Sequence, residues 1–167
     1  MATTLPVPVV FDLPDRWVPA EPDAAGAPGA AFVARLPGQG RFSPTITIDG
    51  HPIAPGQGLS DLAAGSVDTL SRDAEAVEVL DRRDLDQVGD APGLVQALGI
   101  TVRIDDSPHD LAQDQVYVVF ADRNDASRRA AVRVVLTVSR DERDVVLDDF
   151  AMFVRSVTLD RSRPWDF

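Results

Sequence analysis

The polar run with the best claim to chemistry is DDSPHD, residues 105–110. It places Asp105, Asp106, His109 and Asp110 close together, and carboxylate oxygens are the ligands that calcium and magnesium ions prefer. Calcium loops also need a fixed ligand order and a turning glycine, and the run has neither. We therefore predict a solvated turn, in which Asp and Ser side chains bond their own main chain, and no metal site. A metal-dependent enzyme based on this run is the least favoured hypothesis.

The other residues that commonly do chemistry form no catalytic set. His51 is the only other histidine, and the chain has no cysteine. A nucleophilic mechanism needs a Ser or Cys beside a positioned base, and no motif places such a pair. The GQGLS run (56–60) lacks the spacing and the lysine of a phosphate-binding loop. We therefore predict no catalytic residue and no cofactor, and we expect a protein that is not an enzyme.

Composition bounds the fold and the partners. The 167 residues are enough for one domain with a single core, and we assign residues 1–158 to that domain and 159–167 to a C-terminal tail. The net charge of −11 repels phosphate backbones and anionic membrane surfaces, so we predict no nucleic-acid partner. No apolar run approaches the roughly 20 residues of a membrane span, so we predict no membrane insertion. All sixteen basic residues are arginine, which is typical of a GC-rich bacterial genome. The N-terminus has no signal-peptide pattern and no lipidation cysteine, which predicts a cytoplasmic protein.

Residue patterns predict a chain dominated by strands. Apolar residues recur at helical spacing twice, at 58–73, where Ser60 is placed to cap the first turn, and at 142–157. Stretches rich in branched apolar residues and bounded by Gly, Pro and Asp predict strands. These predicted strands are 7–13, 31–36, 45–49, 74–85, 93–104, 115–122 and 130–140. The run 19–30, rich in Ala, Pro and Gly, is predicted to be a surface loop.

Two late strands set the expected architecture. VYVVF (116–120) and VRVVLTV (132–138) are apolar at nearly every position. Strands that are buried on one face alternate, whereas continuous apolar runs indicate that both faces are covered. We therefore predict an α+β fold, with a largely antiparallel sheet of about six to seven strands covered by two helices.

The stretch FDLPDRWVP (11–19) is interpreted as a structural clasp. Phe11 and Leu13 share one face of the first strand, and Pro14 ends that strand because it has no N–H to donate. The chain then turns, so that Trp17 folds back over the end of the core. We expect a buried indole whose N–H bonds a nearby carbonyl, rather than a platform that stacks a ligand.

Two motifs, FDLPDRW (11–17) and GRFSPTITI (40–48), resemble the PsbP-like family, in particular the LpqN-type proteins of actinobacteria. Members have an opening strand that ends in Pro and Trp, and then an aromatic–x–Pro–Asn step into another strand. That step corresponds here to Phe42, Ser43, Pro44 and Thr45, with Thr in place of the usual Asn. The resemblance covers residues 7–158 and implies an α/β/α sandwich. Since wider members include a photosystem subunit, a Ran-binding import factor and chaperone-like adaptors, it also implies a non-catalytic binding module.

We therefore favour a module that binds another protein, as an adaptor or a secretion-associated chaperone. Trp165 and Phe167 are the predicted partner-binding residues, because exposed aromatics often anchor interfaces; the alternative is that the tail folds back over the core. Arg128 and Arg129 are interpreted as protection of a hairpin edge. The second hypothesis is a carrier of a small hydrophobic ligand, in a cleft between the sheet and the first helix near Gly65. A homodimer through an apolar edge strand is also left open.

Overall fold

The computed structural model describes residues 4–38, 42–88 and 91–167. These residues form nine strands, two α-helices and one 3-10 turn. In chain order they are β1 (Val9–Val10), β2 (Val18–Ala20), β3 (Phe32–Arg35), β4 (Thr45–Pro52), α1 (Leu59–Asp73), β5 (Ala76–Val88), β6 (Ala91–Ile104), β7 (Ser107–Ala121), β8 (Arg129–Ser139), the 3-10 turn (Arg140–Glu142), α2 (Arg143–Ser156) and β9 (Thr158–Leu159). Neither helix in this part of the chain is long and apolar enough to cross a membrane.

Seven of the strands form one antiparallel sheet in the order β2-β3-β4-β8-β7-β6-β5. Strands β5 to β8 follow one another as a meander, each paired with the next. Strand β4 instead pairs with β8, so that Thr45 lies opposite Thr137 and Pro52 opposite Ala130. Strands β1 and β9 form a separate two-stranded ladder. The predicted α+β fold, a largely antiparallel sheet with two helices, is confirmed.

The face of the sheet under α2 carries the largest apolar core. Successive side chains of a strand point to opposite faces, and the even-numbered residues Val132, Val134 and Leu136 of β8 are buried on this side. Phe150 and Phe153 of α2 pack into the same cluster. Burying each such side chain contributes about 1.5–3 kcal/mol, so this face supplies much of the driving force for folding.

The opening segment differs from the predicted strand 7–13. Only Val9–Val10 form a strand, and it pairs with β9 instead of joining the main sheet. Pro8 and Pro14 flank this strand and have no N–H to donate, which limits the length of any ladder here. Phe11 and the apolar residues on either side still pack against the core, so the predicted apolar face is kept in an irregular segment.

Two further strands differ from the prediction in extent. Strand β2 lies partly in the predicted loop 19–30, because a three-residue edge strand carries too few residues to show a pattern. Strand β7 begins at Ser107 rather than at 115. Its first half includes Gln113 and Asp114, whose polarity is typical of a loop, although both are paired with β6 and β8 here.

Asp114 anchors the start of α2 to the sheet. Its carboxylate is 4% exposed and accepts two hydrogen bonds from Arg143, from Nε to Oδ2 at 2.8 Å and from Nη2 to Oδ1 at 2.7 Å. The hydrogen bond to Asp114 raises the pKa of Arg143 above its usual value, although burial acts in the opposite direction. A bidentate pair of this kind neutralises a buried carboxylate, so the two residues stabilise the fold only as a pair.

Replacing Arg143 with Met is therefore expected to lower the free energy of unfolding by about 3 kcal/mol, because it leaves Asp114 buried without a cation. Asp114→Asn is expected to cost less, since the Arg143 side chain is 32% exposed and reaches water. Urea denaturation measures both values. Arg83→Met is the matched control: its 3.8 Å pair with Asp81 is largely exposed, and its loss should cost less than about 1 kcal/mol. Equal costs for Arg143→Met and Arg83→Met would contradict the anchoring role.

Candidate functional site

The face of the sheet opposite α2 is covered by α1 over only part of its width. Ala63 of α1 packs against Leu94 and Tyr117, and Leu70 packs beside Leu98. These contacts place α1 over β5, β6 and β7. The strands on the other side of β7 on this face therefore lack a covering helix, and a groove opens there.

The groove has a volume of about 1230 Å³ and is open to solvent. Its floor is formed by β4, β8 and β7, one wall by α1, and the other by β3 and the loop after β2. Gly65 lies on the α1 wall. Most of the side chains on the floor carry hydroxyl, amide or charged groups: Thr45, Thr47, Asp49, Gln113, Tyr117, Arg133 and Thr137.

Two buried amides connect α1 to the strands beneath it. Gln96 and Gln115 are each 0% exposed. The Oε1 of Gln96 accepts hydrogen bonds from Nε and Nη2 of Arg82, at 2.9 and 2.7 Å. Its Nε2 donates to Oε1 of Gln115 at 2.6 Å and to the main-chain oxygen of Ala63 at 3.1 Å. The Gln96 amide thus uses both donors and both acceptor positions.

Gln115 extends this set of bonds from α1 to the floor of the groove. Its Oε1 also accepts from Tyr117 Oη at 2.9 Å, and its Nε2 donates to Ser66 Oγ at 3.0 Å and to Gln113 Oε1 at 2.6 Å. Gln113 in turn donates to Thr137 Oγ1 at 3.1 Å. We call Gln96, Gln113, Gln115, Ser66 and Tyr117 the amide network. No buried side-chain nitrogen or oxygen in the described ranges lacks a hydrogen-bond partner, so the network is fully satisfied.

An ion pair lies beside the amide network on the groove floor. Nε of Arg133 donates to Oδ1 and Oδ2 of Asp49, at 3.0 and 3.1 Å, across the β4–β8 ladder. Nη1 of Arg133 also donates to Ser66 Oγ of α1 at 3.0 Å. Burial lowers the pKa of Arg133, but the hydrogen bonds and charge of Asp49 more than offset this, and the net shift is upward. The floor therefore presents a fixed, compensated pair of charges, and α1 is attached to it through Ser66.

This arrangement is suited to binding rather than to proton transfer. The groove offers hydrogen-bond donors and acceptors whose positions are fixed by bonds to neighbouring side chains, and such a surface is preorganised for a ligand. His51 lies at the edge of the groove and is exposed. In residues 4–38, 42–88 and 91–167 no three His, Asp or Glu side chains are close enough together to hold a metal ion.

The DDSPHD run forms a hairpin turn between β6 and β7. Asp105 and Asp106 adopt positive φ angles of 50° and 63°, as the two central residues of a tight hairpin turn do. His109 and Asp110 lie in β7, and Asp110 Oδ1 accepts a hydrogen bond from Thr101 Oγ1 at 3.1 Å. The acids are thus exposed residues of a turn and of a strand, and they do not converge on one point.

Trp17 is 4% exposed and packs against the main core. Its Nε1 donates to Oδ2 of Asp149 in α2 at 3.0 Å. The prediction that a carbonyl accepts this bond is wrong. Main-chain carbonyls within a helix are already bonded along the helix, and the side-chain carboxylate of Asp149 accepts instead. The main-chain N–H of Trp17 donates a 3.2 Å hydrogen bond to the main-chain oxygen of Pro14, and this bond closes the turn. Pro14 is itself buried.

The other two clasp residues pack against the end of α2 and the sheet. The ring centroid of Phe11 lies 4.8 Å from that of Phe32 and 5.2 Å from that of Phe153, in tilted and edge-on arrangements. Leu13 is half-buried against the same core. These contacts occupy the aromatic faces, so the segment is part of the core rather than a ligand platform.

The C-terminal residues fold back onto the body of the protein. Trp165 is half-buried against the main core, and Asp166 N donates to the oxygen of Pro6 at 2.9 Å. Phe167 is 43% exposed, and Arg128 lies over both rings, 5.5 Å from the Trp165 centroid and 4.8 Å from that of Phe167. This is the alternative expected for the tail, and it gives Arg128 a stacking role. Partner binding by Trp165 and Phe167 stays a prediction.

The groove and the amide network were not predicted as a site. Two signals of a polar floor are present in the sequence. Glutamines at 96, 113 and 115 interrupt apolar strands, and Thr45, Thr47 and Asp49 alternate with isoleucines. Nothing in the sequence pairs Asp49 with Arg133, because their proximity depends on β4 joining β8 across the intervening strands. The cleft expected near Gly65 is present at that place, but it is open and has a largely polar floor.

No protein-family model and no curated protein matches the chain, but solved structures do. LpqN of Mycobacterium tuberculosis, described as involved in cell envelope biogenesis, matches with a TM-score of 0.61 and 13% identity, over 90% of this chain and 82% of that one. PsbP from the cyanobacterium Synechocystis sp. PCC 6803 matches with a TM-score of 0.59 and 17% identity, over 91% and 86%. The chain has the PsbP-like fold.

The same PsbP-like fold is found in the Ran-binding protein Mog1p of Saccharomyces cerevisiae. That match has a TM-score of 0.54 and 8% identity and covers 90% of this chain and 89% of that one. The resemblance drawn from FDLPDRW and GRFSPTITI is therefore confirmed at the level of the fold. Identities this low carry no functional residue from one protein to another.

Gln115→Leu tests the amide network. The change removes four hydrogen bonds and leaves one N–H of Gln96 and the O–H of Tyr117 buried without acceptors, each costing about 1–3 kcal/mol. We expect the free energy of unfolding in urea to fall by about 3 kcal/mol or more. Gln57→Leu, in the loop before α1, removes one long bond of 3.4 Å to Ala54 N and is expected to change stability by less than about 0.5 kcal/mol. Similar values for the two variants would show that the network contributes little.

Gly65→Ala tests whether the α1 wall is open. A Cβ atom at Gly65 meets nothing within 4 Å, and alanine is a better helix former, so thermal or urea unfolding should show a gain of about 0.5–1 kcal/mol. Gly50→Ala in β4, where the residue does not line the groove, is the contrasting case. Its Cβ comes within 2.7 Å of the main-chain oxygen of Ala131, and we expect that variant to be destabilised. Loss of stability in Gly65→Ala would mean that α1 lies closer to the sheet than described.

Proposed function

We propose that this protein is a non-enzymatic module that binds another protein in the groove between α1 and the open part of the sheet. The observation that carries the proposal is the groove floor: Asp49, Arg133, Thr137 and Gln113 line the open groove. Hydrogen bonds to one another and to members of the amide network fix their side chains. A protein segment in the groove replaces water on groups whose positions are already fixed, so little side-chain freedom is lost on binding.

The size and openness of the groove favour a protein over a small hydrophobic ligand. Pockets for small molecules are commonly about 300–1,000 Å³ and enclose most of the ligand. This groove is larger, at about 1230 Å³, and it is open along the sheet. Much of the groove surface is apolar, but Thr45, Thr47 and Asp49 place polar groups along the floor, where a carrier of a hydrophobic molecule needs apolar ones. The carrier hypothesis is therefore the weaker one for the groove.

Two proteins with this fold support the assignment by analogy. Mog1p is described as Ran-binding, and LpqN as involved in cell envelope biogenesis. The more specific form of our proposal is an adaptor or secretion-associated chaperone of a GC-rich bacterium. A shared fold is an association and carries no partner identity, so the experiment has to supply the partner.

Blocking the groove without disturbing the fold provides the test. Gly65→Trp places an indole on the α1 wall, where a Cβ meets nothing within 4 Å. Ala64→Trp is the matched control, because Ala64 is exposed on the same helix turn and does not line the groove. Wild type and both variants serve as bait in a native lysate, with quantitative mass spectrometry. We expect at least one protein to be retained by wild type and Ala64→Trp and depleted at least about tenfold by Gly65→Trp.

The readout is the difference between two variants that each place one tryptophan on the same turn of α1. If every protein retained by wild type is retained equally by Gly65→Trp, the groove is not the binding surface. If wild type retains no specific protein, the partner-binding proposal fails. Circular dichroism of both variants confirms that the Trp substitution leaves the helix content unchanged.

A further inference from the structure

A second cleft lies at the other end of β7, away from the groove. Its volume is about 570 Å³. The β6–β7 ladder ends at Gly93 opposite Val118, whereas the β7–β8 ladder continues to Ala121 opposite Arg129. The last residues of β7 are therefore not paired with β6, and the cleft lies there, beside the residues that follow α2 and β9.

The cleft combines an apolar lining with arginines. Its apolar lining includes Val119, Phe120, Val157 and Leu159. Three arginines also line the cleft: Arg123, Arg129 and Arg161. No acidic residue is among the described residues that line it. In the part of the chain that the structure describes, none of these three guanidinium groups has an ion pair or a hydrogen bond.

The acids nearest in sequence are engaged elsewhere. Asp122 accepts a hydrogen bond from the main-chain N–H of Asn124 at 2.9 Å and pairs with Arg128 at 3.0 Å. The bond from Asn124 has the largest effect, and together the two contacts hold the pKa of Asp122 below its usual value. Asp160 accepts from both the N–H and the hydroxyl of Ser162, which likewise lower its pKa. Both carboxylates are thus ionised and already bonded to other groups.

We propose that this second cleft binds an amphiphilic oxyanion, with a carboxylate or phosphate headgroup among Arg123, Arg129 and Arg161 and an apolar body against Phe120 and its neighbours. The proposal is independent of the proposed function, because it concerns a different surface and a different class of ligand.

Charge and shape both point to this ligand. The protein carries a net charge of −11, so three arginines gathered without acids at one cleft are unusual for this chain. Guanidinium groups bind carboxylates and phosphates in a bidentate manner, with stronger bonds than neutral donors make. The volume lies within the range of about 300–1,000 Å³ that small-molecule sites occupy. A cleft lined by both apolar side chains and guanidinium groups suits an apolar chain that ends in an anion.

Isothermal titration calorimetry with sodium dodecanoate and with dodecyl phosphate, both below their micellar concentrations, tests the proposal. We expect saturable one-to-one binding of at least one probe, and the comparison of the two shows which headgroup is preferred. The variant R123Q/R129Q/R161Q should bind at least about tenfold more weakly. A matched variant, R16Q/R72Q/R155Q, removes the same charge from exposed arginines that do not line the cleft and should bind as wild type does.

A neutral probe and a spectrum locate the interaction. Dodecyl maltoside has the same apolar chain without the charge, and its binding should be at least about tenfold weaker than that of the oxyanion. In a nitrogen-15 NMR spectrum, dodecanoate should shift the amide signals of residues 119–121 and 157–159. The spectrum of R123Q/R129Q/R161Q without ligand shows that this variant is folded.

Four results would overturn the proposal: no saturable binding of either oxyanion, undiminished binding by R123Q/R129Q/R161Q, equal weakening in R16Q/R72Q/R155Q, or equal binding of dodecyl maltoside. Shifts confined to the groove under α1 would likewise move the ligand to the other surface and overturn the assignment to this cleft.

Discussion

The Gln96 and Gln115 amides have no access to water, so α1 and the neighbouring strands must satisfy all of their donors and acceptors. The main-chain oxygen of Ala63 and the hydroxyl of Ser66 meet this demand only while α1 lies over β6 and β7. Moving the helix toward β4 would cover the groove but would leave buried amide groups without partners, at a cost of about 1–3 kcal/mol for each group. The hydrogen bonds of two side chains thus keep one part of the sheet uncovered.

The two faces of the sheet have different roles because successive side chains of a strand point to opposite faces. On β8 the even-numbered residues Val132, Val134 and Leu136 pack under α2, whereas Arg133 and Thr137 face the groove. The face under α2 therefore stabilises the fold by burying apolar side chains, and a ligand in the groove does not contact it. The other keeps polar groups at the surface, held in place by hydrogen bonds rather than by covering side chains.

The architecture could be predicted from the sequence because its main signals are local. The valine-rich runs of β7 and β8 and the helical spacing in α1 and α2 each lie within a few consecutive residues. The predicted opening strand was longer than the observed one. The alternation of apolar residues at Phe11 and Leu13 indicates which side chains are buried, but it does not show whether the main chain pairs with another strand. A cleft was expected near Gly65, but its polar floor and the second cleft were not predicted. Both depend on which strands are neighbours and on where the pairing of two strands ends, as it does at Gly93 and Val118. Strand order and the ends of the pairing are properties of the assembled sheet.

The pairing of β4 with β8 has a consequence for how the chain folds. Strands β5 to β8 each close a short loop with the next strand, so the entropy lost in forming their hairpins is small. Strand β4 closes a much longer loop, which contains α1 and the whole meander, before it finds its place beside β8. Contacts of such wide separation in sequence form slowly, so the meander is the natural nucleus and β2, β3 and β4 join it later. Until they do, the valine-rich edge of β8 is a bare template, and that interval is when this chain is most open to joining a wrong strand.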